Sequence, residues 1–439
     1  MVTDKINPFS PGAIVKSALF GGRHKYIINI LKRLVGVKNA RPTSFYLFGE
    51  RGIGKTALAK LISYIASSKN KELFELNFIV SYYSVQLHQS FNDVLESSLN
   101  NIADQIDETI LKKIGSRLGG IFKEGKFSIG AFGFEASFNG GRKNDYASER
   151  AIIKDQVVSI LRNIIYQIRN ADDRSKNKDG ILIIIDEMDN LEDINLAASI
   201  IRGITTELDF EDIGFVSFLL IGYENGYETF ISGDESIRRL IDPIHLIEMP
   251  ENEIIETFEK GFRETSVNWD KETLKEKVWL TGGYPLAIQV IGYYLIEYDI
   301  DNSIEEDDWN KSVKKGAEEL IDKEYSSYYT FTKKQKKNTD RILLSLAIAS
   351  INKLNSLSLK EIEKISEVIN PRQYLTQLMK NGVVSKDKMT GEYIIKKGLL
   401  RTAIILDLFK VYPPEEASSK FSRMFSKSHK IYTNKQIHG

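Results

Sequence analysis

Four residues carry the chemistry that this sequence advertises: Lys55, Thr56, Asp186 and Glu187. Lys55 and Thr56 close the run Gly49-Glu50-Arg51-Gly52-Ile53-Gly54-Lys55-Thr56, which fits G-x-x-x-x-G-K-[ST] at every fixed position. The spacing has a physical reason. Glycines let successive backbone N–H groups, from Gly49 through Ala57, converge on phosphate oxygens, and a helix N-terminus behind them adds positive dipole. Lys55 then reaches the β- and γ-phosphates, and the Thr56 hydroxyl holds Mg²⁺. Asp186 and Glu187 end the run Ile181-Leu182-Ile183-Ile184-Ile185-Asp186-Glu187. An acidic pair at the tip of a buried strand suits a contact to the Mg²⁺ shell (Asp186) and polarisation of an attacking water (Glu187). The competing readings are a glycine turn that binds nothing and a core strand with an ordinary acidic end.

These residues need elements to position them. Phe45–Phe48 reads as a buried strand and Ala57–Ile62 as the start of an amphipathic helix. Further strands are expected at 74–85, 181–186, 214–223 and within 236–250, with helices at 20–34, 90–106 and 149–170. Strands alternating with helices predict an α/β fold, a doubly wound parallel sheet with the ligand at the carboxyl ends of its strands. The stretch 125–141 alternates apolar with small or polar residues and reads as a β-hairpin insertion, whose exposed phenylalanines would pair with a neighbour or touch a ligand, or which folds back as a half-buried structural flap. After Pro250 the pattern turns helical. The expected division is a core at 1–250, a helical lid at 251–329, a winged helix at 330–412 (three helices and a two-strand wing turning near Thr390-Gly391) and a basic tail at 413–439.

The 439 residues contain no cysteine, which removes disulfides, thiolate catalysis and cysteine-based zinc sites and fits a reducing cytosol. The apolar stretches, such as Ile342–Ile351, are too short to span a bilayer, so a cytoplasmic protein without a membrane partner is expected. A net charge of zero hides an asymmetry. From Thr330 onward there are 21 Lys and Arg against 9 Asp and Glu, a surplus of +12, so the first 329 residues carry −12. A basic C-terminal part suits a polyanion partner; the alternative is a solvated basic surface or one docked on acidic residues.

Together these features resemble the P-loop ATPases of the AAA+ and STAND type, in particular bacterial ATP-binding proteins similar to the archaeal and eukaryotic replication initiators. The likeness runs from about Asn7 to Leu406. Gly49–Thr56 looks like Walker A and Ile181–Glu187 like Walker B. The lead-in "NPFSPGAIVKSALFGGR" looks like the segment that passes beside the adenine. "TGGYPLAIQVIG" looks like the lid motif whose proline, here Pro285, packs near the base. The resemblance implies ATP or ADP with Mg²⁺ as cofactors, ATP hydrolysis, and a nucleotide-dependent homo-oligomer in which Arg238 or Arg239 reaches a neighbour's γ-phosphate. Solvated or intramolecularly paired arginines are the alternative. The sequence also departs from the family. The lid motif lacks an arginine, and Gly222 stands where many relatives place a polar sensor, with Asn225 the nearest substitute.

No second catalytic signature is visible, so the expected role is an ATP-hydrolysing switch whose winged helix binds duplex DNA or a protein partner. For DNA, Arg372, Gln373, Thr376, Gln377 and Lys380 lie at spacings that share one helix face. Lys386 and Lys388 of the wing would meet phosphates. The alternative is a nucleotide-bound sensor of low turnover, as in an anti-phage or stress response, whose winged helix docks protein.

Overall fold

The structure is a computed structural model. It describes residues 6–11, 20–67, 74–118, 121–123, 125–129, 146–170, 177–324, 338–351, 356–387, 389–396 and 398–411. The chain divides into two compact units: Arg23–Gly49 with Lys55–Ile247, and Met1–Gly22 with Glu50–Gly54 and Glu248–Gly439.

In the unit containing residues 55–247, a five-stranded parallel sheet runs in the order β2-β5-β6-β1-β7. Its strands are β1 (Ser44–Gly49), β2 (Ile79–Ser84), β5 (Ile181–Asp186), β6 (Val216–Gly222) and β7 (Ile241–Leu246). Every residue of β1, β5 and β6 is buried. Burial on both faces is why these strands read as continuous apolar runs rather than alternating ones. The helices are α1 (His24–Lys38), α2 (Lys55–Ser67), α3 (Phe91–Ala103), α4 (Glu108–Leu118), α5 (Tyr146–Arg169), α6 (Ile194–Phe210) and α7 (Glu224–Gly233). In α2, Leu58, Ala59, Ile62, Ile65 and Ala66 are buried, the spacing of one helical stripe. That stripe packs over β1, β2, β5 and β6. The N-termini of α3 and α6 are fixed by side-chain caps, Ser90 accepting from the Asp93 amide and Asp193 from the Leu196 amide.

Part of the expected insertion lies among the described residues. A small antiparallel hairpin joins β3 (Phe122–Lys123) to β4 (Lys126–Phe127), so pairing begins before residue 125. Phe127 is not exposed but lies in the core at 1% exposure, where the Asn100 side chain bonds both its amide and its carbonyl. Alternation alone does not say which face meets a core. Residues 130–145 of the expected hairpin lie outside the described residues. The expected strand at 74–85 is shorter: only 79–84 pair, while Leu76 and Phe78 are buried without joining the sheet.

The other unit is mostly helical. It contains α8 (Glu251–Thr265), α9 (Lys271–Lys277), α10 (Pro285–Tyr298) and α11 (Glu306–Glu324), with β8 (Asn268–Trp269) pairing β9 (Ser303–Ile304). The lead-in is fastened here. The Phe9 ring fills the space a side chain would need at Gly261 of α8 and Gly292 of α10, and the Ser10 amide donates to Gln289. Then follow α12 (Asn338–Ile351), α13 (Leu359–Ser366), α14 (Arg372–Lys380), the antiparallel pair β10 (Val384–Lys386) and β11 (Tyr393–Ile395), and α15 (Gly398–Val411). Three helices and a two-stranded wing make a winged helix. A capping box of Ser358 and Glu361 starts α13. The basic tail at 413–439 lies outside the described residues.

Candidate functional site

The sheet brings the carboxyl ends of β1, β5 and β6 to one edge, since β6 pairs with both of the others. Gly49 ends β1, Asp186 ends β5 and Gly222 ends β6. Lys55 and Thr56 start α2.

The Thr56 hydroxyl donates to Asp186 Oδ2 at 2.7 Å across 130 residues of chain. The same Oδ2 accepts from the Tyr82 hydroxyl of β2 at 2.6 Å, and Oδ1 accepts from the Glu187 amide at 2.8 Å. Asp186 is 3% exposed, so its charge is stabilised by these donors rather than by water. Burial and then the Asp186 charge push the Tyr82 phenol well above its ordinary value, so it stays a donor. Glu187 sits at φ 61°, left-handed backbone that a non-glycine residue adopts at a cost. Its Oε2 accepts from the Ser84 hydroxyl at 3.0 Å and the Asn190 amide group at 3.4 Å.

Lys55 Nζ donates to the Gly49 carbonyl at 2.8 Å and lies 4.4 Å from the centre of the Tyr223 ring. The Tyr223 amide donates to Asp189 Oδ2 at 2.7 Å. A Cβ at Gly222 or Gly226 would stand 2.8 or 2.1 Å from the Asp189 carboxylate oxygens. Close approach of that carboxylate therefore requires glycine at both positions. The residue beside Lys55 at the end of β6 is Tyr223, and Asn225, the nearest polar substitute for a sensor at 222, is exposed on α7.

Residues Glu50–Gly54 group with the helical unit. Glu50 Oε2 accepts from the Tyr284 hydroxyl at 2.8 Å and the Gly398 amide at 2.7 Å. The Tyr284 hydroxyl also approaches Glu248 Oε1 at 3.1 Å, which accepts from Arg401 at 3.2 Å. Burial and then the two carboxylates hold the Tyr284 phenol far above its ordinary value. Gly52 and Gly54 take positive φ (77° and 93°), and Pro285 lies against Gly54, 3.3 Å from where a Cβ would stand. Ile53 is buried, whereas Arg51 is exposed.

Arg238 and Arg239 lie in a 3₁₀ turn, Glu235–Arg239, and both are exposed. Arg372, Gln373, Thr376, Gln377 and Lys380 are exposed on α14 while Leu375 and Leu378 are buried, so the five share its outer face. Lys386 is exposed on β10; Lys388 lies outside the described residues.

The donor set fits a magnesium nucleotide. A hydroxyl and a carboxylate stand together, and no cluster of three or more His, Asp or Glu that could hold a metal occurs among the described residues. Mg²⁺ at phosphate sites takes one or two protein ligands and completes its octahedron with phosphate and water. Sequence spacing missed Tyr82, Ser84 and Tyr223, which reach the site through strand pairing and the β6–α7 junction. The one signal for the first two is their alternation on β2.

Residues 23–220 match the family model of the KAP family P-loop domain, so this stretch is a P-loop NTPase domain in fold. No curated protein matches the chain. Similar solved structures include a Walker-type ATPase of Pyrococcus abyssi (13% identity over 88% of this chain and 96% of that one, TM-score 0.44). Others are the Aeropyrum pernix ORC2 protein in ADPNP–ADP complexes (15%, 99% and 97%, 0.45) and Cdc6p of Pyrobaculum aerophilum (14%, 92% and 97%, 0.42). No helix among the described residues is long and apolar enough to cross a membrane.

Proposed function

We propose that the chain is a Mg²⁺-dependent ATPase that works as a molecular switch and couples its nucleotide state to a partner of the winged helix. The observation that carries this reading is the Thr56–Asp186 hydrogen bond, which joins the phosphate loop to the acidic strand end. Backbone amides of Gly49–Ala57 cradle the phosphates. Lys55 neutralises the β- and γ-phosphates, Thr56 would hold the cation, and Asp186 would contact its hydration shell. Glu187 orients the attacking water and accepts its proton. Bound there, Mg²⁺ supplies positive charge for the oxygens of the transferring phosphoryl group. Lys55→Ala is expected to weaken ATP by about a hundredfold, the worth of a charge-assisted bond of about 3 kcal/mol. A calorimetric titration with unchanged affinity would remove the assignment.

The exposed Arg238 and Arg239 support an arginine contact in trans. Mixing Lys55→Ala protein with an Arg238→Ala/Arg239→Ala protein then restores part of the activity, because one intact composite site forms. Turnover that is independent of concentration, with no rescue on mixing, confines both arginines to their own subunit. The exposed face of α14 and Lys386 support duplex DNA as the partner, tested by binding at low salt with ATP, with ADP and without nucleotide. Absence of binding in all three leaves a protein partner.

A second reading, a sensor of low turnover, has an observation of its own. The Glu187 carboxylate is engaged by Ser84 and Asn190. Nucleotide retained as ADP through purification favours the sensor, and turnover stimulated by DNA favours the switch.

A further inference from the structure

Strand β2 presents two side chains, Tyr82 and Ser84, to two consecutive carboxylates. Two-residue alternation puts both on the same side of β2. Ser84 meets Glu187 and Tyr82 meets Asp186, the residue that pairs in register with Ser84. Tyr82 belongs to neither motif that marks the site.

The hydrogen bonds at Asp186 can be counted. A carboxylate oxygen offers two lone pairs. Both on Oδ2 are used, by Thr56 at 2.7 Å and Tyr82 at 2.6 Å. On Oδ1 the Glu187 amide uses one at 2.8 Å. Among the described residues, one acceptor position remains, on Oδ1. The Thr56 hydroxyl spends its hydrogen on Asp186 and keeps its own lone pairs. Without Tyr82 the carboxylate would have a second acceptor position and one fewer bond against rotation about its Cβ–Cγ axis. The ring itself is held, with Lys60 Nζ of α2 5.5 Å from its centre.

We propose that Tyr82 is a positioning residue. By occupying the second lone pair of Asp186 Oδ2, it fixes the rotation of the carboxylate, so that a single oxygen, Oδ1, faces the hydration shell of a nucleotide-bound cation. It thereby sets how much Mg²⁺ strengthens nucleotide binding. The inference rests on the nucleotide reading above and adds to it the residue that tunes the cation. Tyr82 touches neither phosphate nor water in this role; it acts through Asp186.

The test uses the full chain and a fluorescent ATP analogue, titrated in EDTA and at a series of Mg²⁺ concentrations. For Tyr82→Phe, affinity in EDTA stays within about twofold of wild type, because the phosphate cradle is untouched. The Mg²⁺-dependent gain falls about tenfold, the lower end of what loss of an outer-shell partner costs a metal site, and the Mg²⁺ concentration for half-maximal gain rises by the same factor. A wild-type affinity in EDTA also shows that the variant is folded. A purely structural role for Tyr82 predicts equal losses with and without Mg²⁺, and that result overturns the inference, as does an unchanged Mg²⁺ gain. Direct Mn²⁺ binding in the presence of nucleotide, followed by electron paramagnetic resonance, gives a second readout that should weaken in parallel. Failure of the wild-type chain to bind the analogue at all would remove the nucleotide reading; a normal Mg²⁺ gain in both proteins would remove the Tyr82 inference alone.

Discussion

The nucleotide site and the outer face of α14 are built in opposite ways. At the nucleotide site, Thr56, Tyr82 and Glu187 converge on one carboxylate, across 130, 104 and 1 residues of chain. On α14 the five polar side chains stand exposed, and Thr376 bonds back to the Arg372 carbonyl of its own helix at 2.9 Å. The difference matches what the two proposed roles would require. Electrostatic work on a phosphoryl group needs donors and acceptors fixed before the reaction, in a place where water is scarce. Attraction to a polyanion needs only cations within reach of its surface, and long side chains that stay mobile suffice.

That contrast can be broken at several points. The largest effect is expected at Glu187→Gln. Nucleotide affinity stays near wild type while hydrolysis slows by roughly 10²–10⁴-fold, the usual worth of a positioned base. Phosphate release at the wild-type rate would take Glu187 out of the mechanism. Glu50→Ala comes next. It leaves the Gly398 amide without its acceptor and takes one of two from the buried Tyr284 hydroxyl, at a cost of about 1–3 kcal/mol read from urea denaturation. Arg372→Ala on the exposed face serves as the comparison and should stay within about 0.5 kcal/mol of wild type. Equal losses would erase the distinction between cross-bonded and solvated residues. The smallest effect is expected at Lys386→Ala. If the winged helix meets DNA, this change lowers affinity a few-fold for all sequences and flattens the slope of log K against log salt by about 1. A sequence-dependent effect there would move Lys386 from phosphate contact to base reading.

The fold and the two motifs that meet at the candidate site are legible in the sequence because both rest on local pattern. Ile181–Asp186 can hardly be anything but a buried parallel strand, and the spacing of Gly49, Gly54, Lys55 and Thr56 is itself the geometry of the loop. Tyr82, Ser84 and Tyr223 are not legible. Nothing in the spacing between residue 82 and residue 186 says that β2 pairs with β5 in that register. The absence of a polar residue at 222 looks like a lost sensor until the Asp189 carboxylate is seen to occupy the space a side chain would need. Phe127 shows the limit of alternation, since the same pattern serves an exposed flap or a buried anchor, and what holds it, the core around it and the Asn100 side chain 27 residues earlier, is not written in the pattern.

The bond between Glu50 and the Gly398 amide has a consequence for the order in which the molecule comes together. It joins positions 348 residues apart, so it is among the last contacts that a chain emerging from the ribosome can make. The neighbours of β1 can pair with it once residue 246 has been synthesised, and the Tyr284 hydroxyl can reach Glu50 once residue 284 exists, but the bond from Gly398 waits for α15. The last of these ties on the loop can therefore form only about 150 residues after the sheet can close, together with α15 rather than with the strand that bears the loop.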